Sequence, residues 1–76
     1  MVRSVAAEPI YQHIAKQLRK ARERAGFTQA DAGRYLDPRM TRAAIQQMER
    51  GKSRQQLHVL DQLAELYGCE LSDFLK

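Results

Sequence analysis

The sequence predicts an all-α domain of five short helices. Apolar residues recur at spacings of three and four, no stretch alternates polar and apolar residues as a strand does, and glycines divide the chain into short pieces. The 76 residues, 43% of them hydrophobic, are enough for one core but not for two. We therefore expect a single domain.

The first two predicted helices have clear start and stop signals. Pro9 suits the first position of a helix, and Gly26 ends it. Its apolar stripe comprises Ile10, Ile14, Leu18, Ala21 and Ala25. Thr28 and Asp31 form a capping-box-like start for a second helix of about two turns, expected to bury Ala32, Gly33 and Leu36.

The third predicted helix ends at Gly51, but two starts remain open. Either Thr41 caps it, or Asp37 caps it with Pro38 in the first helical position. At about 100° per residue, one face is expected in the core, and it carries Thr41, Ala44, Ile45 and Met48. The opposite, outward face carries Ala43, Gln46, Gln47 and Arg50.

Two further helices complete the predicted domain. The fourth runs from about Gln56 to Tyr67 and stops at Gly68, with a weak N-cap at its start. Its inward residues are expected to be Leu57, Leu60, Leu63, Ala64 and Tyr67. The fifth spans about Glu70 to Leu75 and offers Leu71, Phe74 and Leu75.

Charge is distributed unevenly along the chain. Residues 1–54 hold twelve of the thirteen Lys and Arg against five acids, a net +7, whereas residues 55–76 hold one base against four acids, a net −3. A basic region of this kind attracts polyanions through counterion release, and nucleic acid is the commonest partner. A solvated charged surface is the alternative.

Other classes of protein find little support in the sequence. Cys69 is the one cysteine of the chain, and we expect it to pack as a small buried hydrophobic residue. The positions of Cys69, His13 and His58 do not have the spacing of a metal or catalytic site. No apolar run approaches the roughly 20 residues of a membrane span. We therefore expect a soluble cytoplasmic protein that is not an enzyme and needs no cofactor or metal.

The outward face of the third helix carries residues that can read DNA bases. Glutamine can pair with adenine N6 and N7, and arginine pairs with guanine O6 and N7 or with phosphate. Gln46 and Gln47 stand on this face, flanked by Arg42 and Arg50. An ordinary polar surface is the alternative, because glutamine is a good helix former.

Four stretches, in this order and spacing, resemble the Cro/CI-type (XRE-like) helix-turn-helix family of phage repressors and bacterial regulators. They are LRKARERAGFTQADAGRYL (18–36), AIQQMERGK (44–52), LHVLDQLAELYG (57–68) and LSDFL (71–75). The resemblance implies a five-helix lambda-repressor-like DNA-binding domain over residues 10–76. Residues 1–9 would be a tail, an arm on DNA or a dimer strap.

The resemblance also implies roles for individual residues. Base edges would be reached by Arg42, Ala43, Gln46 and Gln47, with Ala43 limited to a methyl contact. Phosphates would be held by Gln29, Arg50, Lys52, Ser53 and Arg54. Gln29 would also brace the third helix, which is the recognition helix in this family. Arg22 and Glu49 would form a partly buried structural ion pair. A possible dimer surface comprises Leu71, Phe74 and Leu75, although closing the core explains these residues equally well.

The stretch DPRMTRAA between Leu36 and Ile45 departs from the family, with about two residues more than the usual turn. It moves Arg39 toward the DNA side, as a phosphate clamp, an extra base contact or a free loop residue. Gly33 stands where alanine is usual and permits close packing against the third helix.

Together these features predict a sequence-specific regulator of double-stranded DNA. We expect a homodimeric repressor that occludes a promoter at a palindromic operator, with recognition helices about 34 to 36 Å apart. We expect no effector domain in a chain this short. The alternative is a protein-interaction module or antitoxin that retains the fold.

Overall fold

Four α-helices and one short 3-10 helix build the fold in the computed structural model, which describes residues 9–52 and 54–76. The α-helices are Pro9–Ala25 (α1), Gln29–Tyr35 (α2), Arg42–Glu49 (α3) and Leu57–Tyr67 (α4), and the 3-10 helix is Leu71–Leu75. No strand occurs in these two ranges, which confirms the all-α prediction for them. Ser53 and the predicted arm lie outside the described residues, apart from Pro9.

The fifth predicted helix is a 3-10 helix rather than an α-helix. Its amides bond three residues back, from Asp73 N to Glu70 O at 2.9 Å and from Lys76 N to Asp73 O at 3.4 Å. Glu70 N also donates to the Asp73 carboxylate at 2.9 Å, which caps the start of this helix. The described ranges therefore contain four α-helices and not the five predicted.

Thr41 begins α3, which decides between the two predicted starts. Its hydroxyl accepts a hydrogen bond from Ala44 N at 3.1 Å, while Asp37 and Pro38 lie in the preceding turn. The prediction that Thr41 faces the core is wrong, because a cap residue lies before the first helical turn and stays exposed. Thr28 caps α2 in the same way, and Asp31 completes the capping box.

α4 begins at Leu57 with no side-chain hydrogen bond from its N-cap, as predicted. Leu57 was expected in the core, but it is 73% exposed, whereas Val59 is buried. A helical side chain lies over the turn before its own Cα. On the first residue of α4 the side chain therefore points past the helix start, away from the core.

The core lies where α1, α3, α4 and the 3-10 helix meet. Each of these elements supplies one of the largest fully buried side chains: Leu18, Ile45, Leu63 and Phe74. Burying such a side chain stabilises a fold by about 1.5 to 3 kcal/mol. The short helix α2 packs chiefly on α3, so α3 is supported from behind while its other face remains open. Within the described ranges, no helix combines the length and apolar character needed to cross a membrane.

Candidate nucleic-acid interface

The open face of α3 carries the four residues predicted to read bases. Arg42, Ala43 and Gln47 are exposed and Gln46 is partly exposed. Ile45 and Met48, on the opposite face, are buried in the core. The amphipathic pattern of the sequence therefore decides which side chains of this helix can meet a ligand.

Gln46 and Gln47 face different sides of α3. Gln46 lines an open cleft of about 650 Å³ that reaches the start of α2, together with Gln29, Arg42 and Arg50. Gln47 lines a second cleft of about 300 Å³ toward the start of α4, together with Arg54. The polar surface of α3 is thus wide enough to contact groups on either side of the helix axis.

A buried carboxylate joins α3 to α1 and α2. Arg22 of α1 donates from Nε to Glu49 Oε2 at 2.7 Å and from Nη2 to Glu49 Oε1 at 3.1 Å. The two side chains are only 12% and 5% exposed. The hydrogen bond with Glu49 raises the pKa of the Arg22 guanidinium. Arg22 also donates to Phe27 O at 2.9 Å, at the end of α1.

Gln29 completes this network from the first turn of α2. Its Nε2 donates to Glu49 Oε1 at 3.2 Å. The structure therefore places Gln29 as a brace between α2 and α3, beside the cleft where a phosphate contact was also predicted. Because Glu49 receives donors from both other helices, α3 cannot rotate without breaking several charge-assisted hydrogen bonds.

Two groups of basic side chains differ in whether an acid neutralises them. Arg19, Arg34 and Lys76 pair with Glu23, Asp31 and Asp73 on their own helical segments. Around α3 the structure places a second group, exposed and unpaired with any acid of the described ranges: Arg39, Arg42, Arg50, Lys52 and Arg54. A cluster of unneutralised positive charge therefore surrounds the polar face of α3. Ser53, predicted with this group, lies outside the description. Within the described ranges, Lys16, Lys20 and Arg24 of α1 are also exposed and have no ion-pair partner.

Gln55 was missed by the sequence analysis. It is 8% exposed, and its Nε2 donates to Met48 O and to Tyr11 O, each at 3.2 Å. These bonds fix the segment after α3, which carries Lys52 and Arg54. The sequence shows only two adjacent glutamines before a helix, with no signal that one of them is buried.

Gly51 and Gly33 allow close approaches of the backbone. Gly51 follows α3 with φ of 70°, a conformation that favours glycine. Gly33 was expected to pack against the third helix, but its nearest neighbour is the turn between α2 and α3. A Cβ at Gly33 would lie 2.2 Å from Met40 O in that turn. The long turn thus passes directly over α2.

The predicted dimer residues separate into core and surface. Phe74 is 1% exposed, which corrects its place on a possible dimer surface: it closes the monomer core. Leu71 is partly buried and Leu75 is exposed. Leu75 instead shares an apolar groove of about 280 Å³ with two other exposed residues, Ile10 and Leu57.

The family model HTH_3, described as helix-turn-helix, matches residues 18–74. No curated protein sequence matches the chain significantly.

Solved structures that share the fold include the following two. An HTH_3 family transcriptional regulator from Vibrio cholerae is 25% identical with a TM-score of 0.72, over 86% of this chain and 35% of that one. A hypothetical transcription factor NHTF from Neisseria is 17% identical with a TM-score of 0.77, over 100% of this chain and 86% of that one. This chain thus spans little more than a third of the Vibrio cholerae protein.

Proposed function

Because the chain belongs to the HTH_3 (XRE-type) helix-turn-helix family of DNA-binding transcriptional regulators, we propose that it reads a specific double-stranded DNA sequence with α3. One observation carries this proposal: Arg42, Gln46 and Gln47 point outward from a helix whose back is locked by the Arg22–Glu49 pair and the core. The helix from which these side chains project is therefore held in place before DNA arrives.

The chemistry of α3 supports direct reading in the major groove. The amides of Gln46 and Gln47 can each match adenine N6 and N7, and Arg42 can match guanine O6 and N7. Ala43 offers a methyl group to thymine. Gln29, Arg39, Arg50, Lys52, Ser53 and Arg54 would hold phosphates and set the register.

The active species would be a homodimer on a palindromic operator, because one module of this size buries too little surface for tight binding alone. The exposed apolar residues Ile10, Leu57 and Leu75 offer a surface for the second copy, on elements that carry none of the proposed DNA contacts. We place the protein in the cytoplasm, as a repressor that occludes a promoter; it needs no cofactor for this.

The test begins with selection of a binding site from random duplexes. The protein is expected to bind the selected duplex with an affinity that falls steeply with salt. The four positively charged residues of the proposed phosphate set are Arg39, Arg50, Lys52 and Arg54. Four such contacts per protomer in a dimer give a slope of log K against log salt of about −7. An Arg42→Ala/Gln47→Ala variant is expected to lose most of its preference for the selected sequence.

The matched control is Arg24→Ala/Gln17→Ala, which removes the same two residue types beside Cys69 and Phe74, away from α3. It is expected to bind as the parent does. If binding is insensitive to salt, or if both double variants keep the sequence preference, DNA reading is wrong. The alternative function, a protein-interaction module or antitoxin, is then the better interpretation.

A further inference from the structure

The turn between α2 and α3 is held at its first residue by a side chain of α4. Asp37 N donates to Gln62 Oε1 at 2.9 Å, and Gln62 Nε2 donates to Asp37 O at 3.2 Å. The primary amide of Gln62 thus pairs with both backbone groups of Asp37, as a neighbouring strand would. Fixing both groups with one planar amide sets the position and the orientation of the turn.

The same face of α4 also holds the end of α2. Tyr35, the last residue of α2, donates its hydroxyl to Glu65, three residues after Gln62. This hydrogen bond raises the pKa of the Tyr35 phenol. Two polar contacts, one helical turn apart, therefore attach the α2–turn junction to α4.

The far end of the turn is held by α2 itself. Met40 N donates to Gly33 O at 3.0 Å, and the Met40 carbonyl passes close above Gly33. Two residues, Pro38 and Arg39, remain between the anchored ends, and both are exposed. Arg39 stands three residues before Arg42, beside the N-terminus of α3, the end through which a recognition helix meets base edges.

We propose that Gln62 is a positioning residue for DNA recognition: it clamps the turn at Asp37 so that Arg39 is presented to the DNA beside the N-terminus of α3. This inference rests on the proposed function and adds to it a residue of α4, outside the helix that would read the bases. A preordered loop loses less entropy on binding than a free one. Without the clamp, Arg39 retains its charge but loses its fixed position.

The test is a double-mutant cycle on affinity for the selected duplex. Gln62→Met keeps the length of the side chain and its fit to a helix while removing both hydrogen bonds. In the parent, Arg39→Ala is expected to weaken binding about fivefold or more, as for loss of one specific arginine contact. In the Gln62→Met background the same change is expected to cost less than about twofold, because the contact is already lost.

Two controls separate positioning from general damage. Arg54→Ala, which removes a basic residue from the segment after α3, is expected to weaken binding by the same factor in both backgrounds. Hydrogen exchange in the absence of DNA is expected to show faster exchange of the Asp37 amide in Gln62→Met, with the core amides of α1 and α4 unchanged.

The outcomes distinguish the two proposals. If the parent binds the duplex but the Arg39 and Gln62 effects multiply independently, or Arg39→Ala has no effect, the positioning role is wrong and DNA reading stands. Loss of the Arg54 effect together with the Arg39 effect also overturns it, since the damage is then general. If the parent does not bind DNA, both proposals fail.

Discussion

Gly33→Ala tests whether the long turn, and not helix propensity, dictates the residue at this position. Alanine is favoured over glycine in a helix by about 0.8 to 1.0 kcal/mol, so propensity alone predicts a more stable protein. The structure predicts the reverse. A Cβ at Gly33 would lie 2.2 Å from Met40 O, about 0.8 Å inside the 3.0 Å limit that real Cβ contacts respect.

The cost follows from what must move. The obstructing atom is a backbone carbonyl, so the turn itself shifts, and overpacking of this kind costs about 1 to 3 kcal/mol. The shift also strains the bond from Met40 N to Gly33 O, now 3.0 Å long and worth about 1 kcal/mol. After the gain in propensity, a net loss of about 1 to 3 kcal/mol remains. In a domain this small, that lowers the Tm by at least about 4 °C.

Thermal and urea unfolding followed by circular dichroism measure this difference. Ala30→Gly, which removes a Cβ from the same helix, calibrates propensity and is expected to cost about 1 kcal/mol. If Gly33→Ala is as stable as the parent or more stable, the turn can yield without penalty, and close packing does not explain the glycine.

Three further results are expected. Glu49→Gln should lower the free energy of unfolding by about 3 to 5 kcal/mol, because it leaves Arg22 buried without its counter-charge. The double variant Arg22→Met/Glu49→Leu removes both charges and should cost less in denaturant titrations. Equal losses in the two variants would argue against a buried pair. The amide and hydroxyl of Thr28 lower the pKa of Asp31 below its ordinary 3.8. The stability that this cap contributes is therefore full above pH 3.8 and is lost as pH falls through the pKa of Asp31 in the folded protein. Asp31→Asn should then make the Tm fall less steeply at acid pH. An unchanged acid dependence of the Tm would contradict this. Leu57→Glu should shift sedimentation equilibrium toward monomer, with the Tm unchanged at protein concentrations where the parent is also monomeric. His58→Ser, on the same exposed turn, should leave the dimer intact. A dimer indifferent to both changes uses another surface.

Periodicity and capping signals predicted most of the fold, because these depend on neighbouring residues. Pro9 and Gly26 bound the first helix as expected, and the inward set Leu60, Leu63 and Ala64 follows from helical phase. Leu57 fails the same rule because the phase of a residue does not reveal that the helix has only just begun. The prediction of a fifth α-helix at the C-terminus failed too, because a 3-10 helix can show the same spacing of apolar residues as an α-helix.

The outward face of α3 was predictable for a similar reason, as Ile45 and Met48 identify the opposite side. The supporting glutamines were not. Gln55 and Gln62 act through backbone carbonyls and amides of residues distant in sequence, and a glutamine's hydrogen-bond partner leaves no local pattern. Gly33 was noticed as an exception, but its contact partner depends on the path of the turn.

The position of Glu49 has a thermodynamic consequence for association. Donors from α1 and α2 converge on this one carboxylate of α3, so the side chains of Arg22, Gln29 and Glu49 in the cleft lose their freedom when the protein folds. Binding to DNA then resembles docking of a rigid body. We expect the heat capacity change on binding to track the surface covered at contact alone, without the additional 1,000 to 3,000 Å² or so that coupled folding would bury. Glu49 places a negative charge close to the proposed DNA-binding surface, yet by fixing the three helices beforehand it reduces the entropy lost on binding.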